Sequence, residues 1–307
     1  MLNYFRNIFH YWAYGLRIAS EIELPELLPH EAEQVDCEIR VGKAPEKLTG
    51  PDIVDKGKIQ ISPTEFLLDL PNCRYYSRAG KEIILEIKDK LDDKSLRLFL
   101  LTNGLAAILH QRNKVLLHAG AIHTEKGLVV ICGQSGAGKS TTLQYLRQHG
   151  YKVFADDVLV LEETGNAIIK AYASYPVLKL WDDSFEKLGI GTVSEEQKLR
   201  EHVSKYRLSI QEEFSTTPQP IHALFQLQKD ETIQEPTIKS LNGFEAFNAA
   251  HLQLYRTAQL NTPEKNELAF TLINKLIEKA AVFQITRPSS INTLEKIKGL
   301  IENQIGH

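Results

Sequence analysis

From Gly15 to Leu24 apolar and polar residues alternate, with Leu16, Ile18, Ile22 and Leu24 on one face and Arg17, Glu21 and Glu23 on the other. That period of two is the mark of a half-buried strand. Short apolar or alternating runs recur at 37–41, 59–61, 66–70 and 83–87, separated by Pro, Gly and Asp, so the first 90 residues are expected to be mainly β. Between Asp92 and Arg112 the period changes. Leu96, Leu98, Leu100, Leu101, Leu105, Ala106, Ile108 and Leu109 then form one broad apolar helical surface.

After Val115 the order is strand, turn, strand, glycine loop, helix and strand, the run of an α/β unit. The helix after Lys139 turns Leu143 and Leu146 to one side, and Gly150 is placed to end it. Tyr151 to Ala155 returns as a strand. Leu188 to Phe214, with Gly189 and Gly191 ahead of a charge-rich stretch, yields no assignment. Ala223–Gln228 reads as a strand, Gly243–Tyr255 as a helix and Glu264–Ala280 as an amphipathic helix. Val282–Thr286 is a strand stopped by Pro288, and Ser289 or Ser290 is the expected cap of a last helix carrying Leu294, Ile297 and Ile301. No repeat or low-complexity segment interrupts this layout.

With 307 residues the chain is long enough for two domains, placed by this pattern at 1–113, β-rich and ending in a connecting helix, and 114–307. The 39 acidic and 36 basic residues leave a net charge of -3, which gives no general attraction for nucleic acid or anionic lipid. Any anionic ligand must be gripped locally. Cys37, Cys73 and Cys132 have neither disulfide-framework nor zinc-site spacing, which points to a reducing compartment. Arg6 and His10 break the aromatic N-terminus, and no apolar run approaches the roughly 20 residues of a membrane span. The expectation is a cytoplasmic, soluble chain.

The strongest local signal is Gly133-Gln134-Ser135-Gly136-Ala137-Gly138-Lys139-Ser140, a complete G-x-x-x-x-G-K-[ST] motif between a strand and a helix. Glycines let backbone N–H groups converge on phosphate oxygens, and the helix N-terminus adds partial positive charge. A nucleotide such as ATP is thus expected on Gly133, Ser135, Gly136, Ala137, Gly138, Lys139, Ser140 and Thr141. Lys139 would reach the β and γ phosphates, and the Ser140 hydroxyl would ligate Mg²⁺. Asp156 and Asp157 follow at the end of the returning strand, where one carboxylate can hold the metal and the other can take a proton from an attacking hydroxyl. The bland alternatives are a solvated glycine turn and solvated turn aspartates.

Leu117 to about Leu161, with LHAGAI, GQSGAGKS and ADD in order, resembles the HPr kinase/phosphorylase family, whose catalytic domain carries LHG, GxSGxGKS and ADD in that order. The resemblance implies an α/β fold, a P-loop kinase domain of the HPr kinase type beside a smaller β-rich N-terminal domain. It implies Asp156 as catalytic base and acid, Asp157 as a second acidic group near the metal, and His118 as a site neighbour. A second family signature, similar to MEIRGLG and tied to phosphate-driven reversal, is missing. In its place 198–207 carries cations, among which Lys205 and Arg207 are candidates to close over the triphosphate. The opening YGLRIASEIELPEL resembles stand-alone members associated with ribosomally made peptides, including the lasso-peptide tailoring serine kinases.

The expected activity is therefore transfer of the γ-phosphoryl group of ATP to a serine hydroxyl on a peptide or protein. The alternatives are an HPr-type kinase regulating carbohydrate uptake, and a nucleotide-dependent switch without transfer. Neither nucleic acid nor membrane is an expected partner, and association of identical chains is left open.

Overall fold

The strand-forming runs of the first 90 residues pair into one sheet in a computed structural model that describes residues 7–31, 33–90, 92–165, 168–191, 194–199, 203–288 and 292–306. Its strands are β1 (Phe9–Ala13), β2 (Leu16–Ser20), β3 (Leu28–Pro29), β4 (Cys37–Val41) and β5 (Val54–Asp55). They continue with β6 (Ile59–Ile61), β7 (Glu65–Asp69), β8 (Cys73–Arg78) and β9 (Glu82–Ile87), in the spatial order β3-β1-β2-β4-β9-β8-β7-β6-β5. Tyr14 and Gly15, at φ 58° and 78°, form the two-residue hairpin turn between β1 and β2. Positive φ at both positions matches the turn to the strand twist.

The helix expected over 92–112 is two segments, α1 (Asp93–Phe99) and α2 (Leu105–Gln111), joined through a wide turn in which Leu105 N–H bonds Leu100 O five residues back. The Asp92 carboxylate starts it by accepting from Ser95 N–H at 2.8 Å. Its inner face is held to the sheet by buried Leu100 and Leu105 and by hydrogen bonds from Tyr75 Oη to Leu96 O and from Ser77 Oγ to Gly104 O, both 3.1 Å.

The chain divides into two compact units, Met1–Val115 with Arg256–Leu268, and Leu116–Tyr255 with Ala269–His307. Arg256–Leu268, read from the sequence as part of the second domain, belongs to the first unit, where buried Lys265 donates to Pro63 O at 2.9 Å.

The apolar run from Val115 is two strands, β10 (Val115–Leu117) and β11 (Ala119–Thr124), broken at His118, whose N–H turns away to Gln253 O at 2.6 Å. Next come β12 (Gly127–Gly133), α3 (Lys139–Gln148), β13 (Val153–Ala155), β14 (Leu159–Glu163), β15 (Ile169–Ala173), β16 (Val177–Trp181) and α4 (Asp182–Leu188). The unassigned stretch contributes β17 (Lys205–Ser209), antiparallel to β16. β18 (Gln219–Lys229), β19 (Thr237–Leu241), α5 (Gly243–His251), α6 (Pro263–Lys279), β20 (Ala281–Arg287) and α7 (Leu294–Ile305) complete the chain. The expected caps Ser289 and Ser290 lie outside the described residues.

The main sheet runs β10-β14-β15-β18-β12-β11-β13, with β20 beside β18 and β19 beside β20. β11 is antiparallel to both β12 and β13, so those two strands point the same way. β18 and β20 are parallel to β12. The ends of β12, β13, β18 and β20 therefore share one sheet edge, the place where open α/β sheets leave a crevice for ligands. On one face Val129, Ile131, Phe225 and Ile285 pack against Leu143 and Leu146 of α3 and Ile297 and Ile301 of α7. Gln226 and Gln284 alternate with that set and so face the other side. Cys37, Cys73 and Cys132 are buried and unbridged. Among the described residues no helix is long and apolar enough to cross a membrane.

Candidate active site

The shared strand edge carries the glycine loop. Gly133, Gly136 and Gly138 have φ of 137°, 79° and 102°, the last immediately before α3 begins at Lys139. A Cβ at residue 133 would lie 2.4 Å from Leu227 O, so only glycine lets the loop leave β12 beside β18. Lys139, 8% exposed, lies along the loop and donates to Gly133 O at 2.8 Å and Gln134 O at 3.3 Å. Its burial pushes its ammonium pKa down from the usual lysine range.

Ser140 and the aspartate pair meet across the mouth of this loop. Ser140 Oγ donates to Asp156 Oδ1 at 2.9 Å, and Asp156 Oδ2 accepts from Lys179 N–H at 2.7 Å. Asp157 turns elsewhere. Its Oδ2 is 2.5 Å from Lys179 Nζ, and its Oδ1 is 3.4 Å from His118 Nδ1. His118 Nδ1 also lies 2.8 Å from Asp157 O. The sequence places both aspartates at a strand end, and the resemblance implies Asp156 as the base and Asp157 near the metal that Ser140 would ligate. Instead β13 ends at Ala155, Asp157 sits at φ 78°, and Ser140 is joined to Asp156. The left-handed step costs about 1–2 kcal/mol for a non-glycine residue and aims the carboxylates at different partners.

The two carboxyls are electrostatically distinct. Burial, aided by the neighbouring Asp157 charge, raises the Asp156 carboxyl above the ordinary range. Burial acts the same way on Asp157, but the Lys179 ammonium and the His118 imidazole outweigh it and hold that carboxyl well below the range. For Lys179, burial is opposed by Asp157 and Tyr175, and its pKa stands well above the usual value. Burial lowers His118, against a partial rise from Asp157.

The cleft has a volume of about 300 Å³ and is lined by His118, Ser135, Gly136, Gly138, Lys139, Ser140, Thr141, Asp156 and Asp157. Lys205 lines it too, with its ammonium 5.5 Å from the Trp181 ring centre. Gly133 and Ala137 serve it through their carbonyls, as acceptors from Lys139 and Arg287. Arg207 does not line the cleft. It pairs with Lys179 across β16 and β17, and its Nη2 approaches Lys198 O at 3.5 Å. Residues 200–202 of the same cationic stretch lie outside the described residues.

Several lining groups escaped sequence reading. Arg287 ends β20 and donates from Nε and Nη2 to Ala137 O at 3.0 and 2.9 Å, with burial lowering its pKa. Lys229 ends β18, Trp181 ends β16, and Ser184 of α4 shares a 2.8 Å hydrogen bond with Thr141. Lys179 had one visible signal, a lysine between Leu178 and Leu180 in a buried strand. Period two sends those leucines to the core and Lys179 to the site. Five cations, Lys139, Lys187, Lys205, Lys229 and Arg287, face three carboxylates, Asp156, Asp157 and Asp183. That local excess suits an anionic ligand on a chain whose net charge is -3.

Among the described residues no group of three or more His, Cys, Asp or Glu side chains is gathered for a metal. The donors at hand, the Ser140 hydroxyl and the Asp156 carboxylate, are hard oxygens that suit Mg²⁺, an ion that otherwise keeps water and phosphate ligands.

No protein family model and no curated protein matches the chain. Among solved structures it is similar to the Hpr(Ser) kinase/phosphatase from Coxiella burnetii, at 14% identity over 62% of this chain and 89% of that one, with a TM-score of 0.35.

Proposed function

We propose that this chain is an ATP-dependent phosphotransferase of the HPr kinase type that phosphorylates a serine hydroxyl on a peptide. The observation that carries the reading is the hydrogen bond from Ser140, in the first turn after the glycine loop, to the carboxylate of Asp156. It brings together a hydroxyl and a carboxylate, donors that would suit a metal, beside a loop suited to phosphates, with a second, separately oriented carboxylate within the same cleft. The resemblance of Leu117–Leu161 to HPr kinases supports the same reaction class.

In this reading the loop amides and Lys139 hold the β and γ phosphates, and Ser140 with Asp156 would hold Mg²⁺. When bound, Mg²⁺ neutralises phosphate charge. Asp157, fixed by Lys179 and His118, orients the acceptor hydroxyl. The oxygen of that acceptor hydroxyl forms the new bond to the γ-phosphorus as the bridging P–O bond breaks toward ADP, and the hydroxyl proton passes to the Asp157 carboxylate. A carboxylate held low is a weak base, so this proton moves late and the main contribution is orientation, as a loose transition state requires. Lys205 stabilises charge on the transferring group. A cytoplasmic location, where ATP is supplied, belongs to the same proposal.

The test is incubation of the chain with γ-labelled ATP, a flexible peptide ending near a serine, and folded HPr at equal concentration. Preferential labelling of the peptide is expected. Preferential labelling of HPr would return the chain to protein-kinase regulation, and ATP binding without any label would make it a nucleotide switch.

A further inference from the structure

Beneath α5, on the sheet face opposite α3, lies a second cavity of about 480 Å³. It shares Ser135 and Lys229 with the phosphate cleft, so a single ligand can pass from one to the other. The turn that follows α5 is tied to the loop strand at this point, since Gly133 N–H donates to Oε1 of buried Gln253 at 3.1 Å, and Gln253 Nε2 donates back to Ala249 O of α5 at 3.2 Å. The volume falls within the range of about 300–1,000 Å³ typical of small-molecule sites.

We propose that this cavity is the nucleoside half of the nucleotide site and takes an adenine ring, a proposal that rests on the phosphotransferase reading above. Its polar wall is carboxamide: Gln226 and Gln228 of β18, Gln284 of β20 in register with Gln226, and Asn248 of α5. A carboxamide presents one donor and one acceptor side by side. Adenine offers the complementary pair, an amino group next to a ring nitrogen. Guanine also presents such a pair, O6 beside N1–H, but adds the N2 amino donor next to it, and that run of two donors is what a carboxylate would meet. Glu245, the acid of this wall, is already engaged by Lys239 at 2.6 Å. Leu241 and Leu252 provide apolar walls, and Leu252 is 72% exposed, a surface that a stacked ring would cover.

The experiment is calorimetric titration of the full chain with Mg²⁺ and ATP, GTP or inorganic tripolyphosphate, which samples the phosphate cleft alone. ATP is expected to bind about tenfold or more tighter than GTP and tripolyphosphate, and Gln284→Leu to bring ATP down to the tripolyphosphate level. Asn248→Leu, on the facing wall, should do the same and serves should the first variant fail to fold. ATP binding no tighter than tripolyphosphate, or unchanged in both variants, would overturn the adenine site alone. Binding of neither ATP nor tripolyphosphate would remove the phosphotransferase reading and this proposal with it.

Discussion

Lys179 holds both aspartates at once, its backbone N–H on Asp156 Oδ2 at 2.7 Å and its ammonium on Asp157 Oδ2 at 2.5 Å. Lys179→Met removes the ammonium and leaves the Asp157 charge without its main partner, with the Asp157 side chain only 20% exposed. Breaking a buried pair from one side costs about 3–5 kcal/mol, and this partly wetted carboxylate belongs near the lower figure. Denaturant unfolding should show that loss, and adding Asp157→Asn should recover much of it. If the single variant is as stable as the parent, the pair has no structural role.

The same pair sets a pH dependence. The Asp157 pKa is lowered in the folded state, so the pair stabilises fully above the unfolded value of about 3.9 and its contribution fades as pH falls through the depressed folded value. Stability measured from pH 6 downward should fall more steeply in the parent than in the Lys179→Met, Asp157→Asn double variant, the carboxylates other than Asp156, which Asp157 itself raises, being common to both. Parallel curves would contradict the assignment.

Asp156→Asn and Asp157→Asn should fail differently. The first loses the carboxylate on Ser140, so the Mg²⁺ dependence of ATP affinity should largely vanish. The second should bind Mg²⁺ and ATP and transfer about 10²-fold or more slowly, having lost the group that orients the acceptor. Titration with and without Mg²⁺, paired with single-turnover rates, separates the roles. The reverse pattern would exchange the two residues.

Lys139→Ala should lower transfer by about 10²–10³-fold, the scale of losing one charged phosphate contact. Its two bonds to loop carbonyls make a stability loss of about 1 kcal/mol the expected companion. Turnover within a few-fold of the parent would refute phosphate binding at this loop.

Gly120→Ala tests how the site is built. A Cβ there would lie 2.2 Å from Leu143 Cδ1 and 2.9 Å from Ala155 O, the carbonyl just before Asp156. Leu143 can shift, whereas the strand carbonyl cannot without moving Asp156. Overpacking of this kind costs about 1–3 kcal/mol, and transfer should fall by more than the stability loss alone predicts. Unfolding curves and rates on the folded fraction would decide it, and an unaltered rate would show that β11 does not set the position of Asp156.

Among the site residues, those legible in the sequence are, Lys205 apart, close neighbours along the chain. The glycine loop, Lys139 and Ser140 form one contiguous motif because phosphate-binding amides must come from successive residues, and the ADD strand end follows within one β-turn-helix unit. The apolar periods likewise mark the β-rich first region and the helices of the second, since each period is a local consequence of strand or helix geometry. What the sequence could not supply was alignment between distant strands. Lys179 meets Asp157 across 22 residues, and Arg287 meets Ala137 across 150. Those meetings depend on β12, β18 and β20 running parallel with their ends level, and on β16 pairing with β17 in a stretch whose charge hid its strand. The division of labour between Asp156 and Asp157 was decided in the same way. Adjacent in sequence and identical in chemistry, they differ through the φ of 78° at Asp157 and through the burial, cation and hydroxyl that the folded chain sets around each.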